Sequence, residues 1–359
     1  MTPERGTVRA LILAGGSGTR LWPRSTDERP KPFLALTGGR SLLRETFDRA
    51  AVVAGGQGVY LSARRSHADL IRREFPYLLD EHLLFEPERR NTAPAIAIAT
   101  LVIGAKDPNA VVIVLPSDQA VRDPDAFRTA LETAVETARA EDAFVTIGIA
   151  PTRPETGFGY LETDPAEGGK PVRRVVRFVE KPPLEKAKEF AASGRFFWNA
   201  GIFVFRVPVL VAEMERVAPD LLAGAKRALE AREAGDAEKF DAAFRSMPSA
   251  SIDTAVMEKA RSVATVPCAC GWSDLGSWEA VYEFRGGDGR NVVEGPGLSA
   301  EGEGNLVLAL ERPVRVVGLS DVVVVDSPEG VLVMKRGASD ALRKSVEESL
   351  RAAEEARKS

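Results

Sequence analysis

Cysteine and histidine are nearly missing from this chain, with two of each among 359 residues. Cys268 and Cys270, one residue apart, are too few and too close for a disulfide framework. With His67 and His82 remote in sequence, a structural zinc site has little support, and the expectation is a reduced, cytoplasmic protein. No stretch approaches the roughly 18 apolar residues of a membrane span, so no membrane partner is expected. The start, MTPERGTVRALIL, has no long apolar segment ahead of its first strand, which argues against secretion. Charge excess is lacking too. The formal net charge is −4 and no Lys/Arg block dominates, which argues against an extended nucleic-acid footprint and leaves room for a local basic pocket.

What is present is a globular composition, 44% apolar and 28% charged, in a length that suits two domains or one large domain with an appendage. The most informative run is VRALILAGGSGTRL, Val8 to Leu21. Val8, Leu11, Ile12 and Leu13 read as a strand buried on both faces. It breaks into Gly15, Gly16 and Gly18, whose missing Cβ atoms let backbone N–H groups approach a polyphosphate. Arg20 adds a planar donor suited to phosphate oxygens. Leu21 stands where a dinucleotide fingerprint has its third glycine, and the Walker Gly-Lys-Ser/Thr ending is absent. Either the turn is structural or it cradles phosphates; Arg20 and Lys31 favour phosphates.

Apolar runs at 8–13, 58–62, 83–85, 110–115 and 144–149 alternate with helical patterns near 41–53, 66–76, 94–105 and 124–140. This predicts an α/β fold on a mostly parallel sheet, with ligands beyond the carboxyl ends of the strands. From Gly157 to Phe205 the pattern changes to short strands and turns, then 208–245 looks helical. Asp253 is a candidate cap for a helix near Thr254. Gly286, Gly287 and Gly289 mark a boundary, dividing the chain into a larger α/β domain, 1–285, and a β-rich domain with a terminal helix, 286–359.

Lys31 lies between Pro30 and Pro32, which restrict its backbone and suit a lysine held at fixed height; the alternative is a solvent-facing loop lysine. Asp118 follows the apolar strand VVIVLP through a turn at Ser117, where it suits a hard cation or a helix cap, although Asp123 is the better cap. Asp274 lies in CGWSDLG, and only the fold can bring it to Asp118. Glu180-Lys181-Pro182 ends a strand and suits either a phosphorylated substrate or a surface ion pair. Asn199 and Gly201 open a further apolar run, where the amide suits a ligand hydroxyl or the turn backbone.

Nine ordered fragments, among them LAGGSGTRLWPRS, RPKPFL, EPERRNTAPAIA, LPSDQ, VEKP, WNAGIFVF, IDTAVMEKA and GWSDLGSW, resemble the nucleotide-sugar pyrophosphorylases, in the mannose-1-phosphate guanylyltransferase branch without a fused isomerase. The resemblance implies a glycosyltransferase-A-like, Rossmann-like nucleotidyltransferase domain with a mostly parallel mixed sheet, a small C-terminal β-helix-like domain, and a homodimer as a family-level expectation. It implies the reaction GTP + α-D-mannose 1-phosphate giving GDP-α-D-mannose + diphosphate, with Mg²⁺ on Asp118 and Asp274. Leu13, Ala14, Gly15, Gly16, Ser17, Gly18, Thr19, Glu86, Asn91, Thr92, Ala93 and Ser117 would then face the nucleotide. Arg20 and Lys31 would engage the phosphates, and Gly159, Glu180, Lys181, Asn199 and Gly201 the mannose 1-phosphate. Pro32 stands where relatives often carry Gln, and Gln119 where they often carry His. Two rival readings remain at this stage: another NTP and hexose 1-phosphate pair, or a non-catalytic sugar-nucleotide-binding regulator.

Overall fold

A computed structural model of the chain describes residues 6–15 and 19–358. Its strands and helices divide between two compact units, neither contiguous in sequence. The first contains residues up to Gly15, Thr46–Ser117 and Val121–Trp272; the second contains Gly16–Glu45, Asp118–Ala120 and Ser273–Ser359.

The first unit is built on a nine-stranded sheet: β1 (Val8–Ala14), β2 (Val59–Arg64), β3 (Leu83–Glu86), β4 (Val111–Pro116), β5 (Phe144–Ile149), β6 (Tyr160–Thr163), β7 (Arg173–Val179), β8 (Phe196–Arg206) and β9 (Val263–Pro267). Their spatial order is β3-β2-β1-β4-β8-β5-β9-β7-β6. Strands β3, β2, β1 and β4 run parallel, as the alternation of apolar runs and helices requires. A mixed sheet is what the resemblance implies, and the mostly parallel part of that expectation holds only as far as β4. Eleven-residue β8 enters antiparallel to both β4 and β5, so the sheet is mixed and only β5–β9 restores a parallel pair on that side. A bulge interrupts β8. Thr146 pairs with Phe203 and Gly148 with Asn199, so Ala200, Gly201 and Ile202 stand opposite Ile147 alone.

Strands β1, β4 and β5 are buried on both faces, which explains their near-continuous apolar sequences. Helices α1 (Leu42–Ala54) and α2 (Ala68–Glu74) precede α3 (Ala93–Lys106), whose sequence APAIAIATLVIGAK has no polar face. A helix apolar all round has to be buried. Its Ile96, Ile98 and Ile103 share one core with Val112 and Val114 of β4, Leu221 and Leu222 of a later helix, and Phe244. Small residues permit the close approach: a Cβ added to Gly104 would lie 2.8 Å from Val207 Cγ1. Helix α4 (Pro124–Ala140) starts at Asp123, whose carboxylate accepts from the N–H groups of Asp125 and Ala126. Helices α5 (Leu184–Ala192), α6 (Val207–Val217), α7 (Pro219–Glu233), α8 (Ala237–Ser246) and short α9 (Ile252–Ala255) complete this unit. Ser251, not Asp253, caps α9, because its hydroxyl accepts from Thr254 N.

The second unit contains α10 (Trp278–Phe284), six short strands and α11 (Ser339–Lys358). Strands β10 (Val292–Glu294), β12 (Leu306–Ala309) and β14 (Val322–Ser327) stack in parallel, and β15 (Gly330–Lys335) closes the stack antiparallel. Strands β11 (Gly297–Ala300) and β13 (Val314–Val317) form a separate parallel pair. Leu21, Leu34 and Leu36 from the early part of the chain share a core with Leu275, Trp278, Leu306, Leu308, Val323 and Val325.

No helix of the described residues is long and apolar enough to cross a membrane.

Candidate active site

Lys31 is the most informative side chain of the second unit. The proline-flanked segment forms a single 3₁₀ turn, Lys31–Phe33, with Pro32 in its first turn, where a missing N–H is tolerated. Lys31 is only 5% exposed, which excludes the solvent-facing alternative. Its ammonium donates to Asp118 Oδ2 at 3.0 Å and to the main-chain carbonyl of Asp274. A buried ammonium requires such partners, since an isolated one would be strongly penalised.

A backbone bridge explains why Asp118 and Asp274 come together. Ala120 N donates to Ser273 O and Ser273 N to Ala120 O, both at 2.9 Å, so the segment after β4 lies beside the segment before α10. Leu275 next to Asp274 has a φ of 44°, a rare conformation for a bulky residue, held by full burial and by its N–H donating to Ser273 Oγ at 3.1 Å. Gly276 follows for a steric reason: a Cβ there would collide with Asp274 Oδ2 and stand 3.4 Å from Arg20 Nη2. Among the described residues, neither the Asp274 carboxylate nor the exposed Arg20 guanidinium has a hydrogen-bond partner. Arg20, Lys31, Asp118 and Asp274 thus share one unit, with one cation buried and one left available.

At the end of β1, Ala14 is buried and Gly15 exposed. Gly16, Ser17 and Gly18 lie outside the described residues. Leu13 and Ser117 are joined, because the buried Ser117 hydroxyl donates to Leu13 O at 2.8 Å. That hydroxyl fastens β4 to β1, a structural duty the sequence did not reveal. Glu86 accepts from Ser62 Oγ at 2.7 Å, and burial raises its pKa above the usual carboxylate range. Asn91 has a φ of 62° and accepts from Thr92 N through its side chain. Thr92 Oγ1 accepts from Ile252 N, and Ala93 N donates to Ala250 O, so these two residues fix the start of α3.

The five residues expected to face mannose 1-phosphate gather in the first unit. Asn199 N donates to Gly159 O at 2.8 Å, and a Cβ on Gly159 would lie 2.6 Å from Glu180 Oε2. Lys181 has a φ of 46° and pairs with Glu180 at 2.7 Å. Gly201, with a φ of 70°, supplies the left-handed residue of the β8 bulge and donates its N–H to Asn199 Oδ1 at 3.1 Å. Asn199 Nδ2 in turn donates to Asp253 Oδ1 at 2.9 Å. Asp253 belongs to this cluster although its sequence position suggested only a helix cap. Its fragment, IDTAVMEKA, was the available signal.

A family model described as nucleotidyl transferase matches residues 9–288. The alginate biosynthesis protein AlgA of Pseudomonas aeruginosa is 38% identical over 329 residues, covering 90% of this chain and 68% of that protein. A mannose-1-phosphate guanylyltransferase of Escherichia coli is 36% identical over 348 residues, covering 94% and 72%. Among solved structures, a Thermus thermophilus protein described as a mannose-1-phosphate geranyltransferase superposes with a TM-score of 0.86 at 33% identity, covering 95% of this chain and 99% of that one. By these matches, and in keeping with its Rossmann-like α/β sheet, the chain belongs to the nucleotidyl transferase family.

Proposed function

We propose that this protein is a mannose-1-phosphate guanylyltransferase, converting GTP and α-D-mannose 1-phosphate to GDP-α-D-mannose and diphosphate. The observation that carries the reading is the buried Lys31 ammonium, held by Asp118 and the Asp274 carbonyl in the unit that also presents Arg20. The named guanylyltransferase relatives supply the substrates.

The reaction needs no side-chain nucleophile. An oxygen of the sugar phosphate is already anionic and attacks the α-phosphorus. A new P–O bond forms, the bond to the β-phosphate oxygen breaks, and diphosphate leaves with the electron pair. The protein's task is to align two polyanions and offset their repulsion. Arg20 suits the departing diphosphate as a bidentate donor. Lys31 brings a preorganised positive charge that needs no rearrangement during the reaction. Glycine-turn N–H groups at Gly15 to Gly18 suit the triphosphate; Glu86 and Asn91 to Ala93 suit the base; Gly159, Glu180, Lys181, Asn199 and Gly201 suit the hexose phosphate.

The donor set fits Mg²⁺. Among the described residues no cluster of three or more His, Cys, Asp or Glu side chains could hold a metal. Mg²⁺ does not require one, since it keeps several waters and is commonly bound by one or two carboxylates with substrate phosphates. Asp118 and Asp274 would hold it, and the Asp274 carboxylate, without a hydrogen-bond partner among the described residues, supports that role. When bound, the ion would neutralise charge on the reacting phosphates. The stacked parallel strands β10, β12 and β14, with β11 and β13, are consistent with a short β-helix. Cytoplasmic location and a homodimer complete the proposal.

Diphosphate release across a grid of GTP, ATP, UTP and dTTP against mannose and glucose 1-phosphates tests this reading. Turnover should be highest with GTP and mannose 1-phosphate, and should require Mg²⁺. A higher rate in another cell would reassign the substrates, and binding without turnover in every cell would overturn the enzyme.

A further inference from the structure

The Asn199 carboxamide is more fully determined than a ligand-binding amide needs to be. Its Oδ1 accepts from Thr146 Oγ1 at 2.9 Å and from Gly201 N at 3.1 Å, using both acceptor positions. One of its two Nδ2 hydrogens goes to Asp253 Oδ1 at 2.9 Å. Thr146 is fully buried on β5, and its own carbonyl accepts from Thr265 Oγ1 at 3.2 Å. Turning the amide over would set its oxygen against the Asp253 carboxylate and its NH₂ against the Gly201 N–H. The β8 bulge thus aims Asn199, while Thr146 and Asp253 fix which end of the amide faces which way.

We infer that Asp253 is a positioning residue for the second substrate, locking the Asn199 carboxamide so that one N–H is left for a hydroxyl of the hexose 1-phosphate. This inference rests on the reading of the site given above. Asp253 touches no reacting atom in this scheme and acts through Asn199.

The environment of Asp253 makes the lock sensitive to pH. Residue 253 is half-buried, and burial is the leading influence on its carboxyl group. That enclosure, and then the nearby Glu180 carboxylate, push its pKa up to about 6 against the opposing effects of its own backbone N–H, Lys181 and the Asn199 hydrogen bond. The charged groups facing it are Glu180 and Lys181 after β7; Thr146 of β5 and Asn199 of β8 are neutral. Above that pH the Asn199 N–H meets an ionised acceptor, which gives the stronger bond. Below it, the bond becomes one between neutral groups.

The test is steady-state kinetics of the whole protein with each substrate varied in turn, from pH 5 to pH 8. Asp253→Ala should raise KM for mannose 1-phosphate roughly tenfold or more, the scale of a lost charge-assisted hydrogen bond, and leave KM for GTP within about twofold. Asp253→Asn, which still offers an acceptor oxygen, should recover most of that KM. It should also remove the rise in KM that the parent shows as pH falls through about 6. Phosphate monoesters titrate in the same range, so the comparison is between parent and variant profiles, which share that contribution. Thr146→Val, which removes the opposite hold on the amide, should raise the same KM and provides the result if Asp253→Ala does not fold. Equal changes in both KM values, or parent and Asp253→Asn profiles that superimpose, would overturn the inference. Absence of parental turnover with GTP and mannose 1-phosphate would instead overturn the reading on which it rests.

Discussion

Lys31 and Asp253 are both charged groups enclosed by protein, and they are accommodated in opposite ways. Lys31 is buried against an opposite charge, Asp118, with a main-chain carbonyl as second acceptor. Asp253 is enclosed with a like charge, Glu180, in its vicinity, and a neutral amide as its side-chain partner. The first arrangement is a closed ion pair, which under the proposed function fixes a cation for phosphates. The second holds a carboxylate that would more readily stay protonated. The contrast separates a charge positioned for chemistry from one retained for orientation at a penalty to stability.

Removing the fixed cation is the largest disruption of this contrast. Lys31→Ala and Arg20→Ala should each lower turnover by roughly 10²-fold or more, the scale for a lost preorganised donor. Turnover near the parental value at saturating substrates would remove these residues from the mechanism. Asp274→Asn should next raise the Mg²⁺ concentration needed for half-maximal rate by roughly tenfold or more, the scale on which disrupting a metal site lowers affinity. An unchanged Mg²⁺ titration would release Asp274 from the metal.

The other side of the contrast is a matter of stability. Because the folded pKa of Asp253 is raised from 3.8 to about 6, the native state binds its proton more tightly than the unfolded chain. Native stability therefore falls as pH rises from about 4 to about 6 and stays lowered above that range. Asp253→Asn cannot ionise, so in denaturant unfolding at pH 8 it should be more stable than the parent, by about 3 kcal/mol. Its advantage should shrink as pH falls towards 4. A variant no more stable at pH 8 than at pH 4, relative to the parent, would contradict this account. The smallest effect belongs to neither group. Asp123→Ala, which removes the α4 cap, should cost about 1 kcal/mol in denaturant unfolding and leave kcat unchanged.

Much of the fold was legible because its signals are local. Val8–Ala14 and Val111–Pro116 became strands where their apolar runs placed them, and Asp123 became the better cap. Lys31 was legible through the prolines around it. What escaped depends on partners distant in sequence. The place of β8, inserted antiparallel between β4 and β5, is revealed by no periodicity within 196–206. Asp253 acquired its role through a bulge in β8, 54 residues away from Asn199 in sequence. Ser117, which the resemblance places at the nucleotide, has a further duty that depends on a distant partner, since its hydroxyl donates to Leu13 O.

The shared core of the second unit has a consequence for how this enzyme can be divided. Leu34 and Leu36, just after Lys31, and Leu275, just after Asp274, rest on Leu306, Leu308, Val323 and Val325 of the C-terminal strands. Those strands are the foundation of the lysine's turn and not an ornament on a finished catalyst. A shortened chain ending near residue 285 would keep Lys31, Asp118 and Asp274 and lose the apolar strands on which Leu34, Leu36 and Leu275 pack. Any exchange of the C-terminal region for a different module must therefore carry over the apolar face of β12 and β14, or rebuild it.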